Sequence, residues 1–163
     1  MRNDNIQFKD YFWNTLGTVL YAAASLLLSI IVIRITGKIE GGIFSFGFST
    51  LAQIVFKIAY FGIRPMHIVD VNYRYSFSTY KKFGFYISSI ALFLGLLYIA
   101  TMLLLGKYSV IKFFILAVLV LHGVIDGFAD YFECEYQRCN KLYMGGQSQF
   151  FRILIFIVSL LTT

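Results

Sequence analysis

Apolar residues in this chain gather into five runs, separated by short polar segments. The runs predict helices at about 12–35, 42–63, 83–105 and 109–131, with an incomplete fifth from 147 to 163. Each of the first four reaches the roughly 20 residues that cross a bilayer's hydrocarbon core. The pattern predicts an all-α fold: a polytopic transmembrane helix bundle of four full spans and a truncated fifth. One proline and the lack of a Gly/Ser-rich linker give no sign of a second domain.

The second run carries an anomaly, Lys57, before it ends at Arg64-Pro65. A charge at the centre of a span costs about 2.5–3.5 kcal/mol on insertion scales, which marks it as a functional candidate. At 100° per residue, polar positions fall on faces. In span 1, Asn14, Thr18, Ser25 and Ser29 lie within about 60° of one another. In span 2, Ser45, Ser49, Gln53, Lys57 and Arg64 form a drifting stripe. In span 4, His122, Asp126, Asp130, Glu133 and Gln137 share a face about 80° wide. Span 3 has no such stripe and is expected to face lipid. Three helices with polar faces predict a wet cavity, because intramembrane polar groups belong on the interior. Lys57 and Asp126 match in depth, so the two are expected to pair inside the bundle. The competing expectation is a Lys57 stem that snorkels to the headgroups. Helix packing alone would account for the Ser and Thr positions. Glu133 and Glu135 are expected at a solvated helix end, and His122 as a hydrogen-bonded interior residue. A short interfacial helix is expected near Ser78 to Lys82.

Composition narrows the class. The chain is 59% hydrophobic and 13% charged, against roughly 25% charged in soluble domains. The net charge of +6 does not argue for nucleic-acid binding, because the basic residues sit at span ends. With the amino terminus inside, Arg2, Lys9, Arg64, Arg74, Lys81, Lys82, Arg138 and Lys141 are cytoplasmic. Arg34, Lys38, Lys107 and Lys112 are then outside, and the excess favours this orientation. Cys134 and Cys139 match no zinc or redox spacing. No cofactor or metal is expected, and no nucleophile–base pair or phosphate loop suggests an enzyme.

The last apolar run, Phe150 to Leu161, is about twelve residues, too few to cross a bilayer. The chain is therefore expected to be an amino-terminal fragment ending inside a fifth span. The alternative is a complete protein with an interfacial last helix.

Several segments resemble a known family. Asn14-Thr15-Leu16-Gly17-Thr18, Arg34-Ile35-Thr36-Gly37 and Glu40 to Ser45 look like the opening of Wzx-type polysaccharide and O-antigen exporters. These belong to the multidrug/oligosaccharidyl-lipid/polysaccharide flippase superfamily. Phe61 to Arg64, Val69-Asp70-Val71 and Tyr75 to Ser78 resemble the segment after that family's second helix. Asp126 to Arg138, then Gly146 to Arg152, resemble its fourth helix end and fifth helix start. The resemblance implies part of one lobe of a two-lobed transporter in the bacterial cytoplasmic membrane, whose missing carboxyl-terminal lobe is a partner. It implies export of undecaprenyl-diphosphate-linked oligosaccharide by alternating access, alongside a polysaccharide polymerase and ligase. Facing and depth nominate Lys57 and Arg64 for the diphosphate, and Asn14, Thr18, Ser49 and Gln53 for the sugars. Asp126, Asp130 and His122 are nominated for a coupling ion. A multidrug cation antiporter and a non-transporting membrane scaffold are the competing functions.

Overall fold

A computed structural model describes residues 4–161. Arg2, Thr162, Thr163 and the Ser25 side chain, all used above, lie outside the described residues. Six helices and no strand occur among those residues: α1 (Asp4–Thr36), α2 (Lys38–Tyr60), α3 (Arg64–Val69), α4 (Phe77–Leu104), α5 (Val110–Arg138) and α6 (Leu142–Leu161). Four of them, α1, α2, α4 and α5, are long and apolar enough to cross a membrane. The all-α membrane-bundle expectation therefore stands.

The boundaries move for local reasons. The second span ends at Tyr60, three residues earlier than expected, because Phe61 and Gly62 take left-handed conformations (φ 49° and 63°). Gly62 adopts that conformation without a Cβ penalty. Pro65 then sits in the first turn of α3, where its fixed φ helps and its missing N–H costs nothing. No separate helix covers Ser78 to Lys82. That segment is the start of α4, whose cap is Ser76: its Oγ accepts from the Thr79 N–H at 3.3 Å. In the middle of α2, residues Gly47–Leu51 wind as one π-helical turn, closed by the Ala52 N–H donating to Gly47 O.

Burial identifies the central helices. The apolar stretches of α2 and α5 are each 39% buried, against 18% for α1 and 22% for α4. α5 meets α2 through Gly123 and Gly127. A Cβ on Gly123 would lie 2.4 Å from Ala52 O, and one on Gly127 2.5 Å from Ala59 Cβ. Only glycine permits this approach, the small-xxx-small logic of membrane helices. α4 packs on α2 and α5 with Gly84, Ser88, Ala91, Gly95 and Ile99, and turns Phe85, Tyr86, Ile90 and Phe93 outward. On the other flank α1 lies along α6. There a Cβ on Gly146 would meet the Trp13 backbone at 2.4 Å. The two apolar cores are Val55, Ala91, Ile99, Leu116 and Val120 between α2, α4 and α5, and Ala24, Leu28, Phe48 and Ile153 between α1, α2 and α6.

Candidate functional site

α1 and α6 begin at the end of the bundle where α2 and α5 finish. Their polar faces converge there on an open cavity of about 310 Å³, lined by Asn14, Thr18, Tyr21, Gln53, Phe56, Arg64, Asp126, Asp130, Glu133, Leu142, Gly145, Gln149 and Arg152. The α5 carboxylates fall on one wall because 126, 130 and 133 repeat at helical spacing. Arg152 enters from α6. Its Nε lies 2.6 Å from Asp126 Oδ1, and its Nη1 donates to Glu133 Oε1 at 3.0 Å. Arg64, first residue of α3, forms an ion pair with Asp130 and donates to Gln137 Oε1 at 3.2 Å.

A hydrogen-bonded chain closes the deep end. Gln53 Nε2 donates to the Tyr21 hydroxyl at 3.0 Å, and that hydroxyl donates to Asp126 Oδ2 at 3.5 Å. His122 Nε2 lies 3.6 Å from the same oxygen. The His122 ring forms a near-parallel cluster with Phe48 and Phe156, whose centroids lie 5.6 and 4.3 Å from it and 5.5 Å from each other. Asp126 thus faces a guanidinium, a phenol and an imidazole from three other positions. Burial of such groups is tolerated when they are paired.

A second polar cluster borders the cavity without opening into it. Arg138, its side chain 1% exposed, holds Glu135 Oε2 at 2.6 Å and Asp70 Oδ2 at 3.6 Å, and donates to Tyr75 O at 3.2 Å. The Tyr73 ring lies 4.5 Å from its guanidinium. His67, fully buried, contacts Glu135 Oε2 through Nε2 at 2.9 Å and stacks on Tyr80 at 3.9 Å. Its pKa is pushed down, first by burial and also by Arg138, while Glu135 and Asp70 oppose the shift. The neutral ring donates from Nε2, and Nδ1 has no hydrogen-bond partner among the described residues. Asp70 accepts from the Tyr75 N–H at 3.0 Å and the Arg74 N–H at 2.8 Å, and these bonds hold its carboxyl below the usual range. This cluster fixes α3, and so carries Arg64 to Asp130.

The structure brings Asn14, Thr18, Gln53, Arg64, Asp126 and Asp130 together, with His122 beside them. It separates two others. Lys57 is exposed, outside the cavity lining, and the expected Lys57–Asp126 pair is not formed, because Arg152 occupies Asp126. With α2 ending at Tyr60, Lys57 lies within one turn of the helix end, where snorkelling is short. Ser49 is also outside, its hydroxyl donating to Ser45 O at 2.5 Å. Glu133 and Glu135 are not a solvated helix end. The first pairs with Arg152 and the second with Arg138.

The sequence reading passed over Arg152, Tyr21 and Gln149 as site residues. Arg152 had a usable signal, a lone charge in an apolar run, three residues after Gln149 on the same face. Comparison of the chain with protein-family models, curated proteins and solved structures gives no match.

Proposed function

We propose that this chain is part of one lobe of an exporter that flips a lipid-linked oligosaccharide across the bacterial cytoplasmic membrane, with its amino terminus cytoplasmic. The observation that carries the reading is an open cavity inside an apolar bundle, where two guanidinium groups sit among amides and hydroxyls. Guanidinium groups suit a diphosphate through paired N–H donors. Asn14, Gln53, Gln149 and the Tyr21 hydroxyl suit sugar hydroxyls. Undecaprenyl diphosphate would carry the glycan, the missing lobe would complete the pathway, and a polymerase and ligase would act on the exported product.

Both arginines are held by carboxylates. Asp126, Asp130 and Glu133 against Arg64 and Arg152 leave one negative charge in excess when all five are ionised. In this reading a proton or cation entering at Asp126 or Asp130, with His122 alongside, releases an arginine for the anionic substrate.

That carboxylate excess, the aromatic wall of Tyr21 and Phe56, and the exclusion of Lys57 favour a second reading, a drug/cation antiporter of the same superfamily. The whole reading frame expressed in a strain lacking its polysaccharide flippase, with the matching glycan machinery, separates the two. Restored surface polymer is expected for the wild type. Arg152→Ala at normal membrane abundance is expected to lower it about tenfold or more, the cost of losing charged hydrogen bonds. Full rescue by Arg152→Ala would remove the anion-binding role. No rescue by the wild type, with active efflux of cationic dyes, would establish the antiporter. Neither activity would leave a scaffold.

A further inference from the structure

The same end of the bundle carries a groove on its outer surface that shares no lining residue with the cavity. It has a volume of about 410 Å³ and is lined by Lys81, Lys82, Phe85, Tyr86 and Phe128. We propose that this groove holds an anionic glycerophospholipid of the surrounding bilayer, its phosphate between the Lys81 and Lys82 ammonium groups and an acyl chain along Phe85 and Phe128.

Vertical order along α4 supports this occupant. The lysines stand in the second turn of a span, and the rings follow one turn deeper, so charge meets the headgroup level and aromatic surface meets the acyl boundary. The groove is also walled. Phe128 of α5 is half-buried and set edge-on to Phe132 at 5.6 Å, and Phe132 is edge-on to Phe77 at 5.3 Å.

Charge is the independent observation. The α5 carboxylates are all taken by arginines: Asp126 and Glu133 by Arg152, Asp130 by Arg64, and Glu135 by Arg138. Asp70, in the loop before α4, is taken by two backbone N–H groups and the Tyr80 hydroxyl. Lys81 and Lys82 have no ion pair among the described residues. They stand near a helix start with no acidic residue in its first turn. Such a start carries a positive dipole end that favours anions, so the lysines add to a positive field. A phosphodiester with a hydrocarbon tail complements both halves of the groove. Free phosphate complements only one.

The test is native mass spectrometry of the full chain, purified and delipidated, then titrated with phosphatidylglycerol or phosphatidylcholine. Preferential retention of phosphatidylglycerol is expected. Lys81→Ala/Lys82→Ala should lower that retention by about fivefold per lysine. Lys107→Ala, a basic control at the opposite end, should leave it unchanged. Lys81→Arg/Lys82→Arg should keep it, which separates loss of charge from loss of fold. The acyl-free headgroup and inorganic phosphate should displace the lipid poorly. Undiminished retention in the double alanine variant would overturn the proposal. So would displacement by inorganic phosphate alone, which would make the groove a plain anion site.

Discussion

Two arginine–carboxylate clusters share helix α5, one at Arg152 and one at Arg138, and they differ in what fills the space around them. Arg152 reaches Asp126 and Glu133 across an open cavity, and 22% of its side chain is exposed. Arg138 reaches Glu135 and Asp70 inside a shell of Tyr73, Tyr75 and Tyr80, and is 1% exposed. The pairing chemistry is the same. Where aromatic rings close the gap, the pair serves the scaffold. Where small residues and a short connection leave a gap, the pair faces the open cavity.

Removing the sealed arginine should have the larger structural effect. Arg138→Ala takes from Glu135 Oε2 its 2.6 Å partner and leaves that oxygen His67 alone, and a lost hydrogen bond to a charged group costs about 1.5–3 kcal/mol. Thermal unfolding in detergent should show that loss. Arg152→Ala, whose partners can hydrate, should cost less by the same assay while lowering the proposed export about tenfold or more. Equal destabilisation would erase the distinction. Gly146→Ala comes next. Its Cβ would need to displace the Trp13 backbone 2.4 Å away, so α1 and α6 must part, at about 1–3 kcal/mol.

Acidification probes the sealed cluster further. His67 has a folded pKa below its ordinary 6.5, so below that pH the unfolded chain binds a proton that the folded chain refuses. Stability should fall as pH drops through about 6.5 and level off once folded His67 itself titrates. A His67→Gln variant should flatten that slope in unfolding measured across pH 5 to 8. The smallest effect belongs to Lys57→Ala, expected within about 0.5 kcal/mol of wild type and without loss of the proposed export.

The sequence revealed one wall of the cavity better than it revealed the cavity's contacts. The α5 stripe was readable because carboxylates at helical spacing need only the 100° rule, and Gln53 followed from the same rule on α2, whereas Arg64 reaches the cavity from α3. Lys57 misled because the apolar run continues to Ile63, while the helix stops at Tyr60. The stop depends on left-handed backbone at Phe61, a residue with no conformational signature of its own. Arg152 as the partner of Asp126 required knowing that α1 and α6 cross at Gly17 and Gly146. Gly17 and the Gly145-Gly146 pair do not by themselves announce such a crossing. The Arg138 shell was equally hidden, since its members come from α5, from α4 and from an irregular loop.

The π turn at Gly47–Leu51 gives α2 a built-in phase setting. A turn closed five residues apart accommodates one residue more than an α-helical turn. Winding the same residues as plain α-helix would rotate everything beyond them by about 100°. Gln53 would leave the Tyr21 hydroxyl, and Ala52 and Ala59 would leave the glycines of α5. The extra residue acts as a vernier between the two halves of the span. It lets Phe44 and Phe48 pack in one core while Val55 and Ala59 pack in the other, with Gln53 still aimed at the cavity.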